Sequence, residues 1–134
     1  MRIILDTTLK ADHEPRCNPV IYLIHEKNKS LLYAHDTGYF PDETWAYLEK
    51  NRPYLDFVSL DCTCIMIPCR ENHMDLATNI EVRNRLLDMG CADQKTQFYI
   101  NHFSHNAGMI YDELVPLAAE YGFSVSYDGL AISF

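Results

Sequence analysis

Apolar and polar positions along this 134-residue chain switch between a period of two and a period near 3.6, and the switches mark its elements. Residues 2–8 read as a strand, and the run Val20, Ile21, Tyr22, Leu23 and Ile24 as a second with strong β-propensity. A polar turn at 26–30 separates it from a third strand at 31–34, so these two are expected to pair as a hairpin. Helical spacing begins near Pro41. Its ring suits a first helical position, Asp42 and Glu43 favour the N-terminal dipole, and Trp45 with Leu48 forms one apolar stripe. Residues 55–60 give a mostly apolar strand. Residues 76–89 give the clearest helix, with Leu76, Ile80 and Leu87 on one face, Arg83 and Arg85 beside it, and Gly90 as the stop.

Residues 97–100 read as a buried strand that delivers Asn101 and His102 at its end. A last helix covers 112–121 and stops at Gly122, where Pro116 either shortens it or costs it one hydrogen bond. Residues 124–134 return as a final strand, or as a hairpin turning at Asp128 and Gly129. Strands alternating with helices predict an α/β fold, a mixed β-sheet covered by helices, as a single domain over 1–134.

Charge narrows the function classes. A formal net charge of -8, with no run of Lys or Arg, argues against a groove that tracks nucleic-acid phosphates. The first residues turn polar too early for a signal peptide, and no apolar stretch is long enough to span a membrane. Five cysteines, an odd number, do not suggest a disulfide framework, so a reducing cytoplasm is the expected location.

Three residues stand in contexts suited to metal ligation, each after or at the close of an apolar run. They are His13 (Ala-Asp-His-Glu-Pro), Asp36 (Leu-Leu-Tyr-Ala-His-Asp-Thr-Gly) and His102 (Tyr-Ile-Asn-His-Phe-Ser-His-Asn). Two imidazoles and a carboxylate suit zinc, manganese or iron, and a carboxylate can bridge two ions. Taken singly, each has a plainer reading: a solvent-facing or capping histidine, and an Asp-Thr-Gly turn. Cys62, Cys64, Cys69 and His73 have a C-x-C-x4-C-x3-H spacing that superficially suggests a zinc knuckle. Known zinc spacings begin with two to four intervening residues, and free cysteines are commonly buried as small apolar groups. Asp61 and Asp128 read either as hydrogen-bonding supports for ligand histidines or as turn residues. His25 and His35 read as ordinary strand-edge residues.

Order and context together resemble the C-terminal half of a metallo-β-lactamase-superfamily hydrolase. The nearest resemblance is to the phosphodiesterase-like members that include the cyclic phosphodiesterase of phosphonate breakdown. It runs through Ala11, Asp12 and His13; Tyr22 to Ile24; Leu31 to Gly38; Asn72, His73 and Met74; Asn101 to Asn106; and Tyr127 to Gly129. The resemblance implies one half of an αβ/βα sandwich. It assigns His13 and His102 as metal ligands and Asp36 as the carboxylate bridging two ions. The resemblance also implies that His105 stands near the leaving group as proton donor or phosphate contact, sharing the catalytic role with Asp36. For His105 a hydrogen-bonding support role from the same turn is the equal alternative.

The chain contains no His-x-His-x-Asp-His segment, which in the family lies in the N-terminal half. The divalent-metal site, zinc or manganese, is therefore expected to be incomplete in this chain, and the chain alone inactive or very weak. The expected function is phosphodiester hydrolysis when an N-terminal half completes the site. The alternative is a non-catalytic binding or assembly module that retains the half fold. The expected partner is that N-terminal half or a second copy of the chain. Either would meet the sheet on a face lined by Ile4, Ile21, Leu23, Leu32, Val58 and Ile100.

Overall fold

The computed structural model describes residues 4–134. One six-stranded sheet organises the chain: β1 (Ile4–Lys10), β2 (Val20–Glu26), β3 (Lys29–Ala34), β4 (Phe57–Asp61), β5 (Gln97–Asn101) and β6 (Ser124–Val125), lying side by side in chain order. Residues 2 and 3 of the expected first strand lie outside the described residues. The first three strands are antiparallel, joined between β2 and β3 by the expected tight hairpin, and β3 to β6 are parallel. Each parallel step needs a crossover, supplied by α1 (Asp42–Asn51), α2 (Leu76–Asp88) and α3 (Tyr111–Glu120). The crossovers all step the same way along the sheet, and right-handed crossovers then put all three helices on one face.

Side-chain parity confirms this. Ile21, Leu23, Leu32, Val58, Leu60, Ile100 and Val125 share a core with Trp45 and Leu48 of α1, Val82 and Leu86 of α2, and Leu114 and Ala118 of α3. The expected open face is therefore the wrong one. Ile21, Leu23, Leu32, Val58 and Ile100 are buried beneath the helices, and Ile4 belongs to the opposite parity. Both parities of β2 are apolar, so alternation alone does not choose between them, and the helices take the aliphatic set. The open face instead carries Tyr22, Ile24, Leu31, Tyr33, Phe57 and Tyr99. Tyr22 and Tyr33, paired across strands, remain 40% and 43% exposed.

Other elements shift in detail. Pro41 is the N-cap of α1, not its first helical residue. Pro116 sits inside α3, which continues to Glu120, so the proline costs a hydrogen bond rather than ending the helix. On α2 the buried stripe is Leu76, Asn79, Val82 and Leu86, while Ile80 and Leu87 are only partly buried. Asn79 turns the helix: its Nδ2 donates to the Asp61 carbonyl at 2.7 Å and to the Asp75 carbonyl at 2.8 Å. Asp75 caps the same helix by accepting from the Thr78 amide at 2.7 Å. Past β6 the chain makes neither a longer strand nor a hairpin. It turns at Asp128 and Gly129 and runs back so that Phe134 stacks on Phe57, 4.9 Å between ring centres. Among the described residues no helix is long and apolar enough to cross a membrane.

The two faces make a paired prediction. Leu23→Ala should cost about 2–5 kcal/mol by opening a cavity under the helices. Tyr22→Ala, one residue away on the open face, should cost less than about 1 kcal/mol. Urea midpoints of the two variants compare them directly, and equal losses would mean that the open face is packed as tightly as the core.

Candidate metal centre

β1 runs in the same direction as β3, β4 and β5, so the C-terminal ends of all four lie along one sheet edge. Crevices at that edge are where open α/β sheets gather ligand-binding side chains. His13 follows β1, Asp36 follows β3, Asp61 ends β4 and His102 follows β5; His73 arrives on the loop leading into α2.

The side chains of His13, Asp36 and His102 converge there. Asp36 Oδ1 lies 3.3 Å from His13 Nε2, 3.9 Å from His102 Nε2 and 3.7 Å from His73 Nδ1. One carboxylate oxygen thus faces imidazoles from three separate loops. Asp36 is 57% exposed as a side chain, whereas Asp61 behind it has no exposed side-chain surface. Asp61 Oδ2 accepts from His73 Nδ1 at 3.0 Å and lies 3.4 Å from His102 Nδ1. Its Oδ1 accepts from the Thr63 amide at 3.0 Å and the Met74 amide at 3.2 Å, and Oδ2 also from the Thr37 amide at 3.3 Å. Asp61 accordingly acts as the hydrogen-bonding support read from its position, and it reaches two histidines.

The donor set fits a divalent ion. Tetrahedral ligands held at zinc-like bond lengths stand roughly 3.3–3.6 Å apart; His13 Nε2 stands at that separation from Asp36 Oδ1, and His102 Nε2, at 3.9 Å, a little beyond it. Asp36, Asp61, His73 and His102 each offer a ligand atom within 4.8 Å of the others. His13 Nε2 closes the same oxygen from the side of β1.

Backbone geometry shows how tightly the edge is built. Asp36, Asn72 and His102 all hold left-handed conformations, with φ of 56°, 64° and 64°. Such strain persists only where the surroundings over-determine it. Gly38 is required by close approach: a Cβ there would lie 2.3 Å from Asp12 Oδ2 and 2.5 Å from the Arg70 carbonyl. Asp12 ties three segments together. Its carbonyl accepts from the Gly38 amide, its amide donates to Thr37 Oγ1, and its Oδ2 accepts from the Asn72 amide at 3.0 Å.

The remaining candidates separate. His105 is exposed in a short 3-10 turn at His105–Ala107, and among the described residues no hydrogen bond or ion pair ties its ring to the cluster. Asp128 is an exposed turn residue. The cysteines do not assemble with His73 into a ligand group among the described residues. Cys62 faces the core, burial pushes the Cys62 and Cys64 thiols up to about 12, and the Cys69 thiol donates to the His73 carbonyl. His25 pairs with Ser30 in the distant hairpin. His35 is more than a strand-edge residue. Its Nε2 is 2.6 Å from Ser59 Oγ, its ring packs 4.0 Å from Tyr33, and it lies 6.3 Å from the His102 ring. Burial, reinforced by His102, pushes its pKa down to about 4.

That shift has a direction in stability. The unfolded His35 takes up a proton below pH 6.5 while the folded one stays neutral. Its contribution is fully present above pH 6.5 and is lost as the pH falls from there towards 4, up to roughly 3 kcal/mol. Urea unfolding of the metal-free protein at pH 7.5 and pH 5 should show this loss, and His35→Gln should reduce the difference. An unchanged pH dependence in that variant would assign the loss to other groups.

No protein-family model matches this sequence, and no curated protein matches it. Solved structures do. The metallo-β-lactamase fold protein YhfI from Bacillus subtilis superposes with a TM-score of 0.64 at 12% identity, covering 97% of this chain and 50% of that one. A diphosphatase from the PhnP family gives 0.58 at 18% identity, with 99% and 44% covered. Unliganded yeast PDE1 gives 0.59 at 14% identity, with 94% and 44% covered. The chain therefore spans about half the length of the structures it matches, and what it carries is one half of a metallo-β-lactamase fold.

Proposed function

We propose that this chain is the metal-binding C-terminal half of a phosphodiester hydrolase, completed by a half-domain that supplies the missing ligands. The observation that carries the reading is the single oxygen, Asp36 Oδ1, faced by three imidazoles at the strand-end edge. A solved neighbour named as a diphosphatase supports hydrolysis at phosphorus as the class. When bound, zinc or manganese would acidify a water and neutralise a phosphate oxygen.

In this reading Asp36, His13 and His102 would hold the metal that supplies this chemistry. His105, exposed one turn beyond His102, donates a proton to the leaving oxygen or contacts the phosphate. A second imidazole competes for that role on a specific observation. His73 is held at Nδ1 by the buried Asp61, an arrangement that orients the ring. The completing half-domain packs on the aromatic face, whose edge holds the cluster. Five cysteines, all free, suit the reducing cytoplasm in which this reading places the protein.

Hydrolysis of bis-p-nitrophenyl phosphate with added manganese or zinc tests the reading. The chain alone should turn over at most very slowly, and Asp36→Ala should reduce that to background. Adding a separately expressed half-domain carrying His-x-His-x-Asp-His should restore turnover. Light scattering of the mixture should report a one-to-one pair, whereas a self-pair of this chain would put a second copy in that place. Robust turnover by the chain alone, abolished in Asp36→Ala, would show the site to be complete. No turnover in the completed pair would leave the binding-module reading in its stead.

A further inference from the structure

The Thr63 hydroxyl lies where it can decide which nitrogen of His102 carries the proton. Thr63 Oγ1 is 2.7 Å from the His102 carbonyl oxygen and 2.7 Å from His102 Nδ1. A threonine hydroxyl has one hydrogen to give and two lone pairs to offer. The carbonyl oxygen only accepts, so the hydroxyl hydrogen goes there. The same oxygen must then accept at His102, which places a hydrogen on Nδ1. Asp61 Oδ2, 3.4 Å from that nitrogen, also favours a hydrogen there. Neutral His102 is left with its lone pair on Nε2, the nitrogen 3.9 Å from Asp36 Oδ1.

Two further contacts belong to the same arrangement. His102 has a left-handed backbone, with φ of 64°, that the Thr63 bond to its own carbonyl helps to hold. The second lone pair of Thr63 Oγ1 lies 3.3 Å from His73 Nδ1, whose hydrogen goes chiefly to Asp61 at 3.0 Å. Thr63 is itself fixed by its backbone, since its amide donates to Asp61 Oδ1 and its carbonyl accepts from the Ser104 amide.

We propose that Thr63 is a positioning residue: its hydroxyl holds His102 in the Nδ1–H tautomer and aims the bare Nε2 at Asp36. Metal-ligating histidines are oriented in this way by the partner of their other nitrogen, and loss of that partner costs roughly 10–100-fold in metal affinity. The inference rests on the metal reading for its affinity arm alone, because the tautomer is a property of the metal-free chain.

Long-range proton–nitrogen NMR of the metal-free protein at pH 8 reads the tautomer directly. The wild type should show His102 Nδ1 as the protonated nitrogen and Nε2 as the bare one. Thr63→Ser, which keeps the hydroxyl, should preserve both this pattern and metal affinity. Thr63→Val should mix the tautomers and weaken manganese or zinc binding by roughly 10–100-fold. If the valine variant does not fold, Thr63→Ala carries the same comparison. A wild-type proton on Nε2 would overturn the proposal. So would a hydroxyl-free variant with unchanged tautomer and affinity. A Thr63-dependent Nδ1–H tautomer in a protein that binds no ion would uphold the positioning role and sink the metal reading.

Discussion

A carboxylate with no solvent contact is tolerated only if its lone pairs are met by donors. Asp61 is that carboxylate, and its donors come from three segments: Thr37 after β3, Thr63 after β4, and His73 with Met74 before α2. Satisfying one charge therefore fixes where three loops stand. Asp36 is the residue before Thr37, and His73 is the residue before Met74, so the exposed cluster inherits its geometry from the buried group. Hydrogen bonds to a charged acceptor are worth about 1.5–3 kcal/mol each, and a donor lost here would leave the charge under-satisfied. Asn79 extends the constraint to α2 by donating to the Asp61 carbonyl. Helix, strand and site thus share one residue.

Around that group the loops are packed beyond what ordinary turns need. The absent side chain of Gly38 makes room for Asp12, whose carboxylate reaches the Asn72 amide, so the loops bearing Asp36, His13 and His73 cross at one point. Asp36, Asn72 and His102 at this edge carry positive φ without being glycine, a cost of order 1–3 kcal/mol each. Strain concentrated there, and offset by Asp61 and Asp12, indicates a preorganised edge rather than a flexible one. Ligand side chains held before an ion arrives lose little freedom on binding it.

The order and type of elements were legible in the sequence because period and turn chemistry act locally. The strand-end placement of His13, Asp36 and His102 was legible as well, since each polar residue ends or follows an apolar run, and their side chains converge. What escaped was non-local. The parity of the sheet depended on where the helices landed, and β2, apolar at Ile21, Tyr22, Leu23 and Ile24 alike, gave no local reason to choose. The stripe of α2 depended on Asn79, a polar residue whose partners lie on β4 and at the helix start. Thr63 and Asp12 carry no local signal of their roles, which are hydrogen bonds to loops distant in sequence. Only the polar Asp61 and Thr63 straddling Cys62 at a strand end hinted at a second tier behind the ligands. The final segment also depended on a distant contact: past the turn at Asp128 and Gly129 it runs back so that Phe134 stacks on Phe57.

The open face completes the physical picture, because it differs in kind from the covered one. Its tyrosines have polar ends that tolerate water and rings that stack, so the face is compatible with solvent and with burial alike. Phe57, one of its apolar members, is already shielded by Tyr99 and Phe134. His35 shares the parity of Tyr33 and bonds Ser59, so the face leads without interruption to the His102 ring. A partner that covered the tyrosines would therefore also border the cluster, bury His35 further and draw water away from Asp36. Dehydration strengthens the interactions among the charges left inside. In this half-fold a partner seated on the tyrosines would act on packing and on the site at once, since both lie along one continuous face.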